Sequence, residues 1–170
     1  MLNQSIVDAL NEHLNKELYS AYLYQSMSAH SAFIGLPGVA NWMDVQAKEE
    51  SAHAMRIYDY INEHGSKVIL KAIEQPETKF ESLQEMYDKT LAHEQFITKS
   101  INNLVSLARK ENDYATEIFL SWYVTEQVEE ESNVKTILDK IKLIGGTGNG
   151  IFMIDNELAS RVFNPSPVVK

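Results

Sequence analysis

The sequence predicts an all-α protein, a four-helix bundle with one long crossover and a short fifth C-terminal helix. Apolar residues recur with a helical period of 3.6 through four long segments. The chain has only seven Gly and four Pro, and they lie at the borders of those segments. Connections between the segments are short, then long, then short. We expect the 170 residues to form a single domain, 1–170, with a substantial core.

The first two helices are predicted at residues 5–34 and 38–64. Gly35, Pro37 and Gly38 mark the break between them. Each helix carries a stripe of residues at helical spacing, which is the pattern of a face turned to a core. The first stripe comprises Leu10, Leu14, Glu17, Ala21 and Tyr24, and the second comprises Val39, Met43, Gln46, Glu50, His53, Ile57 and Ile61.

The third and fourth helices are predicted at residues 82–110 and 113–144. Asn112 and Asp113 between them are typical of a helix end followed by an N-cap. The third stripe comprises Leu83, Tyr87, Glu94, Ile97, Ile101 and Leu104, and the fourth comprises Phe119, Tyr123, Gln127, Glu130, Val134, Ile137 and Ile141. A glycine-rich bend, with Gly at 145, 146, 148 and 150, precedes a fifth helix predicted at 149–160 and a tail at 161–170.

Loop lengths predict the topology. A connection of a few residues makes helices one and two, and likewise helices three and four, antiparallel hairpins. About 17 residues separate helices two and three, and an extended stretch of that length reaches about 55 Å. A helix of about 27 residues is only about 40 Å long. The connection can therefore run the length of the bundle and leave helices two and three parallel.

Composition excludes several classes of function. A formal charge of −9 disfavours nucleic acids and anionic membranes as partners. Without cysteine, the chain has no disulfide, thiolate metal site or cysteine nucleophile. No apolar run approaches the roughly 20 residues of a membrane span, and the N-terminus does not resemble a signal peptide. We expect a cytoplasmic protein.

An acidic layer across the bundle is the main functional signal. Glu50 and His53 are three residues apart, so both can reach one metal ion from a single helix face. Glu17, Glu94 and Glu130 lie at similar depth in the other three helices, each on an otherwise apolar stripe. Buried carboxylates are costly unless they are neutralised, and four of them balance two divalent ions. A cysteine-free, oxygen-rich ligand set favours iron or manganese.

Four motifs carry a family resemblance over essentially the whole chain. They are NKELYSAYLY at 15–24, EESAHA at 49–54, HEQ at 93–95 and WYVTEQVEEE at 122–131. The chain resembles the prokaryotic non-haem ferritins, which implies the ferritin-like form of the bundle. The resemblance further implies an iron storage protein with ferroxidase activity. Such a protein forms a homo-oligomeric shell of twenty-four subunits, oxidises Fe(II) with dioxygen or peroxide, and stores the ferric mineral inside.

The resemblance also implies roles for individual residues. It makes Glu17, Glu50 and His53 ligands of one iron, with Glu50 bridging to a second iron. The second iron is held by Glu94 and Glu130, near Gln127, and Tyr24 stands beside the centre. A third iron site is implied at Glu49, Glu126 and Glu129, which Glu130 can share.

The sequence differs from those of bacterioferritins and rubrerythrins at the metal centre and at the haem site. Bacterioferritin and rubrerythrin centres repeat Glu-x-x-His on the fourth helix, whereas this chain has Gln127-Val128-Glu129-Glu130, so its iron pair is asymmetric. Bacterioferritin ligates haem through a methionine where this chain has Ser51-Ala52, so we expect no haem. The remaining histidines lack a partner set and are expected to be exposed or capping: His13, His30, His64 and His93.

Two other functions stay open from the sequence. One is a di-iron oxidase or peroxidase of the same superfamily that does not store iron. The other is a helical signalling or scaffold bundle whose glutamates lie on the surface. Assembly state separates the first from storage, and metal content separates the second.

Overall fold

A computed structural model describes residues 2–145 and 148–164 of the chain. These residues form five helices and no strand: α1 (Gln4–Phe33), α2 (Pro37–Glu63), α3 (Leu83–Lys110), α4 (Tyr114–Ile144) and α5 (Gly148–Leu158). The predicted all-α class is confirmed, and each helix end lies within two residues of its expected position. Gly146 in the predicted bend and residues 165–170 of the predicted tail lie outside the described residues. None of the described helices is long and apolar enough to cross a membrane.

Local signals explain where the helices begin and end. The side chain of Ser82 caps α3 by accepting a hydrogen bond from the backbone N–H of Glu85 at 3.1 Å. Asp113 caps α4 in the same way, as the sequence predicted. The preceding Asn112 has a φ of 57°, a left-handed conformation that Asn tolerates and that reverses the chain.

The crossover runs beside α1. Near its start, the side chain of Asn11 donates to the backbone oxygen of Lys67 at 3.1 Å and accepts from the backbone N–H of Ile69 at 2.6 Å. Near its end, Ser26 donates to the backbone oxygen of Glu77 at 2.7 Å. The crossover therefore follows α1 in the same direction, which makes α2 and α3 parallel as predicted.

Two apolar cores fill the bundle, and a polar layer separates them. One core includes Tyr24, Met43 and Tyr87, and the other includes Leu14, Ile57 and Ile97. Each of the four long helices contributes buried polar residues between its contributions to the two cores. They include Glu17, Glu50, His53, Glu94, Gln127 and Glu130.

Helix α5 docks on the first turn of α2. The N-cap residue of α2 makes no side-chain capping bond, and Asp155 of α5 supplies one by accepting from the backbone N–H of Val39 at 2.8 Å. Gly38 permits this approach, because a Cβ there would lie 1.6 Å from the backbone oxygen of Asp155. The short fifth helix thus completes the cap of a helix 116 residues earlier in the chain.

Candidate metal centre

Glu17 of α1 faces the layer beside a buried histidine. His13 lies one turn earlier, with its Nε2 atom 2.9 Å from Glu17 Oε1 and its Nδ1 atom 3.0 Å from Ser100 Oγ. Burial raises the pKa of Glu17, but the combined effects of His13 foremost, His53 and Glu50 outweigh burial, so the pKa is lowered. The expectation that His13 is exposed or capping was wrong, since the side chain is 1% exposed. Its partner, Ser100, is 87 residues away and has no local signature.

Two other histidines also have partners. His93 is half-buried, with its Nε2 atom 2.7 Å from Ser20 Oγ. His64 is the C-cap residue of α2, and its Nδ1 atom lies 2.9 Å from the backbone oxygen of Tyr60. The capping role expected of this class of histidine therefore holds for His64.

Glu50 and His53 meet Glu17 across the α1–α2 hairpin. His53 Nδ1 lies 3.5 Å from Glu50 Oε2, and both side chains are buried. Each of the three residues offers one ligand atom, and these atoms all lie within 4.8 Å of one another. Burial would lower the pKa of His53, but the carboxylates, Glu50 foremost, raise it to about 10. The structure thus brings together the three ligands predicted for one metal ion.

Glu94 of α3 is held by one donor at each carboxylate oxygen. The hydroxyl of Tyr24 donates to Oε1, and the amide of Gln127 donates to Oε2 at 3.1 Å. Burial, reinforced by Glu50 and Glu130, raises the pKa of Glu94 well above its ordinary value. Glu94 is therefore in direct contact with both Tyr24 and Gln127, two residues that the sequence predicted to lie near the iron pair.

Glu130 of α4 is joined to Glu50 by an amide that the sequence did not identify as part of the site. Gln46 Nε2 donates to Glu130 Oε2 at 2.8 Å and to Glu50 Oε1 at 3.1 Å. Burial and the charge of Glu50 raise the pKa of Glu130 to about 8. The sequence did offer one sign of this role: Gln46 lies on the same stripe as Glu50 and His53, one helical turn before Glu50.

The acids predicted for a third metal position line one cleft of about 590 Å³, namely Glu49, Glu126 and Glu129. Burial raises the pKa of both Glu49 and Glu126. Glu126 lies close to two predicted ligands of the iron pair, because one of its carboxylate oxygens is within 4.8 Å of a ligand atom of His53 and of one of Glu130. Glu49 instead pairs with Arg161, a residue after α5 that the sequence did not single out.

The donor set fits divalent cations. Four buried carboxylates share the layer, and Glu17 Oε2 is buried without a hydrogen-bond donor among the described residues. An ionised oxygen in that condition is costly, and a cation is the simplest group that satisfies it. Oxygen-rich ligands with one imidazole suit iron or manganese.

Several known proteins are similar to this chain in sequence, and they belong to one family. A family model described as a ferritin-like domain matches residues 7–144. The chain is 48% identical over 155 residues to the bacterial non-haem ferritin of Campylobacter jejuni, covering 91% of this chain and 93% of that protein. This chain belongs to the prokaryotic non-haem ferritins. The bacterial non-haem ferritin of Staphylococcus saprophyticus is a second ferritin relative, 43% identical over 98% of this chain and 99% of its own.

Solved ferritin structures are similar to this chain in fold as well as in sequence. An engineered closed form of the Archaeoglobus fulgidus ferritin superimposes with a TM-score of 0.95 at 43% identity. The alignment covers 96% of this chain and all of that one. The open-pore ferritin of the same archaeon gives a TM-score of 0.94 at 43% identity, over 95% of this chain and 98% of that one.

Proposed function

We propose that this protein stores iron and has ferroxidase activity. In this proposal, Fe(II) is oxidised by dioxygen or peroxide at a pair of metal positions within each subunit. The ferric product is stored as an oxyhydroxide mineral inside a cytoplasmic shell of twenty-four copies. The observation that carries the proposal is the buried acidic layer, because four carboxylates match the charge of two Fe(II) ions.

In this proposal, each residue of the acidic layer either binds iron or orients a ligand. Glu17, Glu50 and His53 bind one Fe(II), and Glu50 bridges to a second Fe(II) bound by Glu94 and Glu130. The amide of Gln127 orients Glu94, since it donates to Oε2 and to the backbone oxygen of the same residue, both at 3.1 Å.

Tyr24 keeps its proton beside the pair. Burial raises the pKa of Tyr24 well above its ordinary value, and the charges of Glu94 and Glu50 raise it further. The hydroxyl therefore remains a hydrogen-bond donor to Glu94 throughout the physiological range. Its place at the second metal position is the basis for including Tyr24 among the catalytic residues.

The third position lies toward the open side of the layer. Glu49, Glu126 and Glu129 range from half-buried to exposed, whereas the acids of the pair are buried. A more solvated site attracts cations more weakly than a buried one. We therefore assign these three acids, with Glu130 shared, to a weaker iron site that supplies or receives iron at the pair.

Exposed apolar side chains support assembly into a shell. Apolar surface that a single chain leaves in water can be buried against other chains, and contiguous apolar patches mark such interfaces. Several are at least two-thirds exposed, and they lie on the first, fourth and fifth helices: Phe33, Tyr114, Ile118, Val128, Leu143, Phe152 and Met153.

Stopped-flow oxidation of Fe(II) tests the catalytic assignment. At two Fe(II) per subunit, His53→Ala removes a ligand, so we expect oxidation to slow by at least a factor of ten. His64→Ala is the control, because His64 caps α2 away from the acidic layer. Equal rates for His53→Ala and the unmodified protein show that the site is misassigned.

Light scattering separates storage from the alternative of a di-iron oxidase or peroxidase without storage. A shell of twenty-four chains of 19.3 kDa has a mass of about 460 kDa. Such oxidases are usually small oligomers. A monomer or dimer at micromolar protein and physiological salt rejects storage and leaves the oxidase as the better assignment.

A further inference from the structure

The chain after α5 is pinned to the surface of α2. The side-chain NH₂ group of Asn41 lies within hydrogen-bonding distance of three backbone oxygens, those of Leu158 and Ala159 at 3.3 Å and that of Arg161 at 3.0 Å, so one of its two hydrogens is shared. These bonds fix the backbone that follows the last helix. They place the side chain of Arg161 over α2 at the level of the acidic layer.

The guanidinium of Arg161 makes three kinds of contact on one face of α2. It forms an ion pair with the carboxylate of Glu49, and its Nη1 atom donates to Gln46 Oε1 at 2.8 Å. Its Cζ atom lies 4.4 Å from the centre of the Trp42 ring. A planar fork of donors on an aromatic face is a geometry that Arg provides and Lys does not.

The contact with Gln46 determines which way its amide faces. A guanidinium only donates, so it selects the amide oxygen and turns the NH₂ group of Gln46 the other way. That NH₂ group is the one that donates to Glu50 and Glu130. Arg161, which lies beyond the four-helix bundle, therefore orients the amide that donates hydrogen bonds to two carboxylates of the buried layer.

Glu49 differs from Glu126, another acid of the cleft, in its surroundings. Glu126 lies within ligand distance of His53 and Glu130, whereas among the described residues Glu49 joins neither potential ligand group. Its carboxylate is taken by Arg161. The guanidinium is thus a cation at the place where a metal ion is expected to contact Glu49.

We propose that Arg161 is a positioning residue that closes the third metal position when no metal is present. It neutralises Glu49 and, through Gln46, orients the amide that donates to the carboxylates Glu50 and Glu130. A cation that binds Glu49 displaces the guanidinium and frees the amide of Gln46. Filling the third position thereby changes the hydrogen bonds at the pair. This inference rests on the proposed function for the identity of the metal positions.

Zinc titration of the assembled, metal-free protein tests the competition. Calorimetry resolves classes of Zn(II) site, and the class lost in Glu49→Gln is the third position. Arg161→Gln is expected to bind Zn(II) in that class about fivefold more tightly, which is the effect of removing a partly exposed ion pair. Arg161→Lys keeps the charge and is expected to return the affinity toward that of the unmodified protein. Arg109→Gln is the control, because it changes the net charge by the same amount but breaks the exposed ion pair with Glu117 instead.

A crystal structure of the zinc-loaded protein tests the displacement. We expect Zn(II) on Glu49, with Arg161 withdrawn from Glu49 and Gln46. An intact Arg161–Glu49 pair with Zn(II) bound to Glu49 overturns the inference. The inference is also overturned if Arg161→Gln and the unmodified protein bind Zn(II) at the third position with equal affinity. In that case, Zn(II) bound by the ligands of the predicted iron pair leaves the proposed function standing. If the unmodified protein binds no zinc in the layer, the proposed function fails, and the inference fails with it.

Discussion

Replacing Glu130 with Gln is expected to stabilise the metal-free protein at alkaline pH. Burial and the charge of Glu50 raise the pKa of Glu130 from an ordinary 4.5 to about 8. A raised pKa means that the folded state resists ionisation, so stability that is complete below pH 4.5 is lost as the pH rises toward 8. Gln is close in shape, can still accept the hydrogen bond from Gln46 and carries no charge.

The magnitude follows from that difference in proton affinity. Each factor of ten corresponds to about 1.4 kcal/mol, so ionised Glu130 destabilises the fold by at most about 5 kcal/mol at pH 8. Glu50 and His53 interact with Glu130 and take up part of the change, which reduces the expected gain to about 2 kcal/mol. For a domain of this size, that gain raises the melting temperature by about 4–8 °C.

Calorimetry on chelator-treated protein at pH 5, 6.5 and 8 measures this gain. The advantage of Glu130→Gln should be small at pH 5 and largest at pH 8. Glu131→Gln is the control. Although partial burial opposes it, hydrogen bonds from Lys135 and Thr98 lower the pKa of Glu131, so this variant should be equally or slightly less stable at pH 8. An advantage of Glu130→Gln that is absent, or the same at all three pH values, refutes the reasoning.

Three further substitutions probe the fold and the site. Gly38→Ala places a Cβ 1.6 Å from the backbone oxygen of Asp155, so α5 must shift, and we expect urea denaturation to show a loss of about 1–3 kcal/mol. Tyr24→Phe removes the hydroxyl that donates to a buried carboxylate and should lower metal-free stability by about 1 kcal/mol. Glu49→Ala combined with Glu129→Ala should leave the first rapid Fe(II) oxidation largely intact. The double change should alter the iron-to-oxygen ratio and slow recovery between successive iron additions.

Each of these has a matched control. Gly148→Ala adds a methyl group that meets nothing within 4 Å, so it should not destabilise the protein. Tyr22→Phe removes a hydroxyl from a half-exposed ring and should be neutral. Glu12→Ala with Glu77→Ala removes two exposed acids that pair with lysines, and oxidation stoichiometry should not change. If a test variant behaves like its control, the corresponding contact does not have the role assigned to it.

Local patterns were sufficient to predict the helices. Helical periodicity, a border residue such as Gly35 and an N-cap such as Asp113 act within a few residues, so the chain displays them directly. The shared depth of Glu17, Glu50, Glu94 and Glu130 also followed, because rise per residue and loop position set depth in a bundle.

The connections that complete the site were beyond such patterns. His13 meets a serine 87 residues away, and Arg161 meets Gln46 across 115 residues. The cap of α2 comes from Asp155, 116 residues along the chain. Each contact depends on how helices pack against one another, and nothing in the adjacent sequence announces it. The sequence therefore predicted the residues of the acidic layer more readily than the groups that hold them in place.

The polar layer between the two apolar cores has a consequence for folding cooperativity. Each end of the bundle has its own set of packed side chains, and without metal the level between them holds mutually repelling carboxylates. We therefore expect the two regions of the metal-free molecule to open separately in native-state hydrogen exchange. The proposed cation pair would contact all four helices at that level and join the two regions into one unit. On loading, we expect the two regions to open together, with similar amide protection on both sides of the layer.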